Sequence, residues 1–345
     1  MKVVIAAGGT GGHLYPGIAV AEELKKRDIE TLFLVSDRGI ERDVLRPLGY
    51  ELVEQHVSGF KGVSFFNKIK ALAKLAGAIT NTEKHLTRND KVLLLGGFVS
   101  APVAVAAILK GVDVYIHEQN SIMGFANKFL SSVAKKVLLS YPNTKGAPAR
   151  AVLVGNPVRA SLMNGAVKEN DGKNILVLGG SGGSRIVNKT FADVADRLLG
   201  AGYKIRHQTG KKLFDETVEA YKNADVDITR LEVLPYIDDM AQAYEWADVV
   251  VGRSGSGVVF EVSYARRPAL YIPFAQATDN HQYYNARWAE EHKYATILQE
   301  RDVNPNSLFD RLIGVFRDIK DYKLALEGTR SMNSVTDILA NMEIE

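Results

Sequence analysis

The chain contains 345 residues, of which 46% are hydrophobic and 24% are charged, a balance that is typical of a folded globular protein and excludes extended disorder. Because a single core seldom grows beyond about 300 residues, we expect two domains. The absence of cysteine excludes disulfides and thiolate catalysis. Residues 1–160 contain 21 Lys and Arg against 13 Asp and Glu, so this basic half favours an anionic partner.

The first half of the chain alternates short apolar runs with helical patterns, including a helix predicted at 16–26. The chain starts directly with a strand pattern and shows no secretory signal, so we expect a cytosolic protein. The uncharged stretch 92–109 is interrupted by Gly96, Gly97 and Pro102, which favours a strand, a turn and a helix with Ser100 near its N-cap over a membrane span. Strands are predicted at 3–7, 31–35, 92–95, 112–116, 137–139 and 152–154.

A second series of strands follows, at 175–178, 204–208, 230–234, 249–251, 269–272 and 295–298. This alternation predicts an α/β fold with two Rossmann-like, doubly wound parallel-sheet domains, whose ligands bind at the carboxyl ends of the strands. We predict an N-terminal domain at 1–157 and a C-terminal domain at 158–330. The segment 331–345 carries a further predicted helix at 331–342, and packing back onto the N-terminal domain is one arrangement open to it.

A glycine-rich turn opens each half of the chain. Gly8-Gly9-Thr10-Gly11-Gly12 follows the first strand, and Gly179-Gly180-Ser181-Gly182-Gly183 follows the first strand of the second series. Such strand-turn-helix arrangements place main-chain N–H groups against an anion. Neither turn has the Gly-x-Gly-x-x-Gly/Ala spacing of a dinucleotide site, which disfavours NAD or FAD.

Two polar clusters in the N-terminal half are candidates for acid–base chemistry. His13 directly follows the first glycine turn, where a helix N-terminus disfavours imidazolium and a neutral ring suits proton abstraction; a capping role is the alternative. His117-Glu118-Gln119-Asn120 follows the strand predicted at 112–116. Glu118 is a second acid or base or an orienting group, and Asn120 suits a sugar, unless the cluster only ties loops together.

Two further clusters lie in the C-terminal half. Arg253-Ser254-Gly255-Ser256-Gly257 follows a strand and repeats the anion-binding pattern, so that Arg253 or Arg159 is a candidate for a phosphate contact. Glu261 lies on the following predicted helix, where a carboxylate suits a ribose diol. The loop Asp279-Asn280-His281-Gln282 offers the mixed donors and acceptors that sugar hydroxyls require.

The stretch 60–75 interleaves apolar and basic residues. Phe65, Phe66 and Ile69 alternate with Lys68 and Lys70, a pattern that suits an anionic bilayer surface. A helix that buries its apolar face in the domain core is the alternative.

Taken in order, nine motifs of this chain resemble those of the MurG family, bacterial transferases that convert lipid I into lipid II. They are Gly8-Gly9-Thr10-Gly11-Gly12-His13, Ser58-Gly59-Phe60-Lys61-Gly62, Gly96-Gly97-Phe98-Val99-Ser100, His117-Glu118-Gln119-Asn120, Gly155-Asn156-Pro157-Val158-Arg159, Gly179-Gly180-Ser181, Ile237-Asp238-Asp239-Met240, Arg253-Ser254-Gly255 and Asp279-Asn280-His281-Gln282.

The resemblance implies a GT-B fold, in which two Rossmann-like domains face a cleft. It implies an inverting transfer of N-acetylglucosamine from UDP-N-acetylglucosamine (UDP-GlcNAc) to the C4 hydroxyl of the muramyl sugar of lipid I (undecaprenyl-pyrophosphoryl-MurNAc-pentapeptide) in peptidoglycan synthesis. The C-terminal domain would hold the donor and the N-terminal domain the lipid acceptor. A peripheral enzyme on the anionic cytoplasmic face of the cell membrane is expected, with no cofactor, metal ion or nucleic acid involved.

The same resemblance assigns roles to individual residues. His13 would be the catalytic base, Arg159 would contact donor phosphate or nucleoside, Ile237 the uracil through its backbone, Glu261 the ribose and Gln282 the sugar hydroxyls. The family commonly has Ala-x-Thr where Ser256-Gly257-Val258 stands here, so a threonine hydroxyl contact is lost at that point. The implied substrate-binding residues are Thr10, Gly11, Gly12, Asn120, Arg159, Ser181, Ile237, Ser256, Gly257, Val258, Val259, Phe260, Glu261 and Gln282.

Two other functions remain open from the sequence. A UDP-GlcNAc 2-epimerase of similar two-domain fold would need no lipid acceptor, and a non-catalytic nucleotide-sugar-binding subunit would bind UDP without turnover.

Overall fold

The computed structural model describes residues 1–8, 11–37, 41–57, 65–163, 172–180, 182–327 and 333–345, with the backbone alone for 65–72 and 163. The described chain forms two compact units. We call residues 1–159 together with 332–345 the N-terminal unit, and residues 160–331 the C-terminal unit.

The N-terminal unit contains seven strands, all paired in parallel, in the order β3-β2-β1-β4-β5-β6-β7. Its elements are β1 (Lys2–Ala6), α1 (Gly11–Lys26), β2 (Glu30–Ser36), α2 (Glu41–Leu45), β3 (Glu51–Gln55), α3 (Phe65–Lys84), β4 (Lys91–Leu94), α4 (Ser100–Lys110), β5 (Asp113–Glu118), α5 (Phe125–Leu130), β6 (Lys136–Leu139), β7 (Val152–Leu153) and the C-terminal helix α14 (Ser334–Asn341).

The core of the N-terminal unit lies on both faces of its sheet, because successive side chains of a strand point to opposite faces. Val4 and Ala6 of β1 join a buried cluster that includes Val103 of α4. Val3 and Ile5 join the cluster of the other face, to which α14 contributes Ile338 and Leu339, and the residue after it contributes Met342. The C-terminal helix therefore belongs to the N-terminal core.

The C-terminal unit contains six strands, again all parallel, in the order β10-β9-β8-β11-β12-β13. Its elements are α6 (Ala160–Met163), β8 (Asn174–Leu178), α7 (Arg185–Gly200), β9 (Lys204–Gln208), α8 (Phe214–Asn223), β10 (Glu232–Leu234), α9 (Met240–Trp246), β11 (Val249–Gly252), α10 (Ser256–Tyr264), β12 (Ala269–Tyr271), α11 (His281–Glu291), β13 (Ala295–Ile297), α12 (Pro305–Arg317) and α13 (Ile319–Glu327).

Its core repeats the two-faced arrangement. Ile175 and Val177 of β8 pack with Phe191 of α7 on one face, and Leu176 packs with Tyr244 of α9 on the other. Both units are thus doubly wound sheets covered by helices.

Apart from shifts of one or two residues at the ends of other strands, three elements differ from the sequence-based prediction. Strand β3 was not predicted, since it is an edge strand paired only with β2 and is incompletely buried. Strand β5 extends to Glu118, so His117 and Glu118 end the strand instead of following it. Helix α1 begins at Gly11 and not near residue 16, which places His13 inside its first turn.

Among the described helices, none combines the length and the apolar composition that crossing a bilayer requires.

Candidate functional site

Each unit has one point at which the strand order reverses, and parallel sheets bind ligands at the carboxyl ends of the strands beside such a point. In the N-terminal unit β1 and β4 are neighbours there, followed by Gly8 and Gly96. In the C-terminal unit β8 and β11 are neighbours, followed by Gly179 and Arg253. The first glycine of each turn named from the sequence, Gly8 or Gly179, therefore lies at the reversal point of its sheet.

The main chain is closely packed at the point where the strand order of the N-terminal unit reverses. Gly97 has φ +79°, and a Cβ at this position would clash with the carbonyl oxygen of Gly8. Gly96 has φ +111°, and its N–H donates to the hydroxyl of Ser100 at 3.1 Å. Ser100 was predicted near the N-cap of α4; it is the first helical residue, and Val99 is the N-cap.

His13 lies in the first turn of α1 with one ring nitrogen fixed. Its Nδ1–H donates to the carbonyl oxygen of Gly8 at 2.9 Å. Because a carbonyl only accepts, this bond selects the tautomer in which Nε2 carries the lone pair of the neutral ring. A Cβ on Gly96 would lie 3.0 Å from that Nε2, so the main chain of Gly96 packs closely against the imidazole ring.

Glu118 ends β5 and holds the loop that follows. Its side chain is 2% exposed, and Oε1 accepts from the main-chain N–H of Asn120 at 3.0 Å. Oε2 accepts from the N–H of Gly124 and from Nδ2 of Asn127, both at 2.9 Å. The carboxylate therefore orients Asn120 and the start of α5.

His117, beside it, is fully buried in a polar network. Its Nε2–H donates to the carbonyl of Gly155 at 3.0 Å, and its Nδ1 accepts from Nε2 of Gln119 at 3.1 Å. Ser140, which directly follows β6, donates to Oδ1 of Asn156 at 3.1 Å in the same network. Burial lowers the pKa of His117 to about 4, so the ring stays neutral and ties strand ends together.

Arg159 belongs to the N-terminal unit and stacks on α1. Its guanidinium carbon lies 4.3 Å from the ring centroid of Tyr15, two residues after His13. This cation–π contact fixes a positive charge close to the first turns of α1.

A buried network supports the glycine turn of the C-terminal unit. Tyr221 donates to Nδ1 of His207 at 2.7 Å, and the Nε2–H of His207 donates to Oδ1 of Asn188 at 3.1 Å. Nδ2 of Asn188 donates to the carbonyl of Thr209 at 2.9 Å. Burial lowers the pKa of His207 to about 3. A Cβ on Gly179 would lie 2.9 Å from Asn188, so the main chain of Gly179 packs directly against this network.

Ile237 follows β10 with its peptide held by a side chain. Its N–H donates to Oε1 of Gln208, the last residue of β9, at 3.1 Å. No local sequence pattern indicates this role for Gln208, because the bond joins residues 29 positions apart.

Helix α10 starts immediately after the loop that follows β11. Ser256, Gly257 and Val258 form its first turn, with Gly255 as N-cap. The N–H of Val259 already donates to the carbonyl of Gly255, and its side chain is fully buried. Phe260 stacks on Trp288 at 5.5 Å between ring centroids. The first three residues therefore present main-chain groups at the helix start, whereas the next two side chains face the core.

Glu261 lies on the same helix and is 8% exposed. The hydroxyl of Tyr244 on α9 donates to its Oε2 at 3.0 Å.

Gln282 lies in the first turn of α11, where its Oε1 accepts from the N–H of Phe274 at 3.0 Å. Ser254 donates to the carbonyl of Gln282 at 2.8 Å and so joins α11 to the loop after β11. Arg253, a sequence candidate for a phosphate contact, instead forms an ion pair with Glu300 and donates to the carbonyl of Ile272.

Several sequence candidates lie outside the described residues. Thr10 and Ser181 are not described, and for the proposed membrane-contact residues of α3 only the backbone is described. These α3 residues are Phe65, Phe66, Lys68, Ile69 and Lys70.

The structure adds an exposed apolar surface that the sequence analysis missed. Helix α4 packs against both α3 and α5. We call the exposed side chains of α4 and α5 the α4–α5 face: Val105, Ile108 and Leu109 on α4, and Phe125 and Phe129 on α5. Phe125 is 85% and Phe129 is 75% exposed. Their spacing of four residues on one helix face, next to Lys128, was the available signal.

Within the described ranges no group of three or more His, Cys, Asp or Glu side chains is placed to hold a metal ion.

Comparison with known proteins covers both units. The glycosyltransferase family 28 N-terminal domain matches residues 3–139, and the C-terminal domain of that family matches 174–341. A Vibrio atlanticus (strain LGP32) protein named UDP-N-acetylglucosamine--N-acetylmuramyl-(pentapeptide) pyrophosphoryl-undecaprenol N-acetylglucosamine transferase is 37% identical over 338 residues, which cover 96% of this chain and 93% of that protein.

Solved structures also match the chain over both units. The crystal structure of Acinetobacter baumannii MurG matches with a TM-score of 0.79 at 28% identity and covers 99% of both chains. A UDP-GlcNAc 2-epimerase from Neisseria meningitidis matches with a TM-score of 0.64 at 12% identity, covering 99% of this chain and 100% of that one. At 12% identity the epimerase shows a shared fold alone. The predicted fold class, with two Rossmann-like parallel-sheet domains of the GT-B type, is confirmed. The chain belongs to the MurG family of glycosyltransferases.

Proposed function

We propose that the protein transfers N-acetylglucosamine from UDP-GlcNAc to the C4 hydroxyl of the muramyl sugar of lipid I, forming lipid II. The observation that carries the proposal is the end-to-end match, at 37% identity, to a relative whose name states this transfer. The match extends across both units, so it covers the proposed donor and acceptor sites alike.

The C-terminal unit holds the donor in this proposal. The N–H of Ile237 is engaged by Gln208, so its carbonyl oxygen is the atom that accepts from N3–H of uracil. The buried carboxylate of Glu261 accepts from the ribose hydroxyls, and the side-chain amide of Gln282 contacts the sugar. The glycine turn after β8 and the start of α10 present main-chain N–H groups to the diphosphate.

The N-terminal unit holds the acceptor. Nε2 of His13 takes the proton of the C4 hydroxyl as the oxygen attacks C1 of N-acetylglucosamine. The bond between C1 and the diphosphate oxygen breaks, and UDP leaves from the opposite face with the electron pair, which inverts the anomeric carbon. The hydrogen bond to Gly8 keeps the required tautomer of His13 in place.

Charge on the diphosphates is balanced by groups that the protein already holds. Arg159 carries a fixed positive charge against α1, and helix N-termini add partial positive charge. The proposal therefore calls for no resident cofactor. Glu118 acts as a positioning residue for Asn120, since four N–H donors occupy its carboxylate.

A lipid acceptor brings the enzyme to the membrane, and we propose peripheral binding to its anionic cytoplasmic face. The α4–α5 face exposes Leu109 at 66%, Phe125 at 85% and Phe129 at 75%. Neither helix carries an Asp or Glu, whereas Lys110 and Lys128 are exposed on them. Exposed aromatic rings with basic neighbours suit insertion at an anionic bilayer surface. Helix α3 packs on α4 and carries Phe65 and Phe66, the membrane-contact residues proposed from the sequence.

The deciding experiment measures sugar transfer from UDP-GlcNAc to a lipid I analogue and identifies the product. We expect a disaccharide product and stoichiometric release of UDP. Epimerised UDP-sugar in the absence of acceptor would indicate the epimerase, and saturable UDP binding without turnover would indicate a binding subunit.

The same assay tests the base. His13→Ala removes general-base catalysis, which contributes about 10²- to 10⁴-fold, and should lower kcat by that range while the affinity for UDP stays unchanged. Turnover near the wild-type value in a variant that binds UDP normally would remove His13 from this role.

A further inference from the structure

A buried hydrogen bond joins α9 to α10 at the proposed ribose ligand. The phenol oxygen of Tyr244 lies 3.0 Å from Oε2 of Glu261 and donates to it. Tyr244 is fully buried and Glu261 is 8% exposed. A hydrogen bond to a carboxylate is among the stronger ones in proteins, and the shielding from water strengthens it further.

We propose that Tyr244 is a positioning residue that orients the Glu261 carboxylate toward ribose and thereby sets the preference of the donor site for ribonucleotides over 2′-deoxyribonucleotides. The inference rests on the proposed function, which places Glu261 at the ribose of UDP-GlcNAc. It adds a second residue, on a different helix, to sugar recognition.

The chemistry of a glutamate side chain explains why a positioning group is needed. The terminal torsion of glutamate is soft, so an unrestrained carboxylate rotates easily about its last bond. A donor fixed at Oε2 selects one orientation of the carboxylate plane. An ionised carboxylate has about four acceptor positions, so one phenol and two ribose hydroxyls fit on it together.

Tyr244 itself is held rigidly. Its ring is part of the buried cluster that also contains Val259 and Val262 of α10. Arg267, 1% exposed, donates from Nε to the carbonyl of Tyr244 at 2.8 Å and from Nη2 to that of Glu245 at 3.0 Å. These carbonyls lie in the last turn of α9, where an arginine satisfies groups that the helix leaves open.

The experiment compares the affinities for UDP and 2′-deoxy-UDP by titration calorimetry, because the two ligands differ by one ribose hydroxyl. The wild-type chain should prefer UDP by about 10-fold or more, since a hydroxyl matched to a buried acceptor is lost in the deoxy ligand. Tyr244→Phe removes only the phenol oxygen and should reduce this preference by about 3- to 10-fold. Glu261→Gln should reduce it at least as much.

Tyr294→Phe is the matched control, because Tyr294 is also fully buried in the same cluster. It should leave the preference at the wild-type value. Adding Tyr244→Phe to Glu261→Gln should lower the preference no further if Tyr244 acts through Glu261.

The outcomes separate the proposal from the function on which it rests. A preference that is unchanged in Tyr244→Phe, or a further loss in the double variant, overturns the positioning role. A preference unchanged in Glu261→Gln overturns the ribose assignment of the proposed function instead. Tyr244→Met, which fills the apolar space without a hydroxyl, gives the same reading if the phenylalanine variant does not fold.

Discussion

The main chain of Gly96 lies against the imidazole of His13, so that a methyl group on Gly96 would lie 3.0 Å from Nε2. This separation is tighter than ordinary van der Waals contact. The backbone of Gly96, at φ +111°, is also one that residues other than glycine rarely adopt. The position of the proposed base therefore depends on a residue that takes no part in the chemistry.

Gly96→Ala should displace the His13 ring and lower kcat by about 10- to 100-fold, because small misplacements of a reacting group are costly. UDP affinity should be unchanged, since Ile237 and Glu261, the residues proposed to bind uracil and ribose, lie in the other unit. Gly111→Ala is the control: Gly111 has φ +67°, and a Cβ there meets nothing within 4 Å. Wild-type kcat in a folded Gly96→Ala protein would show that this contact is irrelevant.

The Glu118→Gln variant tests whether the Glu118 carboxylate holds the loop that follows β5 or takes part in acid–base catalysis. Four N–H groups donate to Glu118, and an amide would turn donors of its own toward some of them. We expect the free energy of unfolding to fall by about 2–4 kcal/mol, since buried donors lose their acceptor. Urea unfolding measures this, and His13→Ala serves as a comparison that should lower turnover without such a loss. Unchanged stability with strongly reduced kcat would instead favour acid–base chemistry at Glu118.

The alternation of apolar runs and glycine turns predicted most of both sheets, because fully buried parallel strands carry continuous apolar segments. It failed at β3, where the edge strand Glu51–Gln55 contains two Glu and pairs on one side only. It also ended β5 too early. His117 and Glu118 are polar but buried, and the partners that permit this burial lie as far away as Gly155.

The residues of the candidate site also divide into those that local sequence predicts and those that it does not. Residues that lie in or shortly after a local sequence motif, such as His13 and Glu261, were predicted from motifs and from the resemblance. Gln208 and Tyr244 were not, since their contacts join separate elements and no local pattern encodes them. Hydropathy also did not distinguish the exposed Phe125 and Phe129 from core residues, because exposure depends on which neighbours pack on the helix.

Phe125→Ser combined with Phe129→Ser should weaken binding to vesicles that contain phosphatidylglycerol by at least about 10-fold. Burial of one phenylalanine side chain is worth about 1.5–3 kcal/mol, and both rings are exposed in the protein alone. Cosedimentation measures the binding, which should also weaken as salt rises. Leu324→Ser, at a 67% exposed position of α13 in the other unit, is the control and should bind normally. If the double phenylalanine variant and Leu324→Ser bind vesicles equally well, the α4–α5 face does not contact the membrane.

The free energy of unfolding should decrease as the pH is lowered, because the fold buries histidines in their neutral form. Burial lowers the pKa of His207 from 6.5 to about 3, so the folded state keeps this ring neutral while the unfolded chain takes up a proton below pH 6.5. More protons bound by the unfolded state mean that the free energy of unfolding decreases as pH falls. His207 alone contributes up to about 1.4 kcal/mol per pH unit to this slope, over the window from about pH 6 to pH 4.

Urea unfolding at a series of pH values should show a slope that is shallower by this amount in His207→Gln. Tyr221→Phe removes the hydroxyl that donates to His207 and should lower stability while preserving the slope. An equal slope in His207→Gln and the wild type would mean that His207 is not held neutral by the fold.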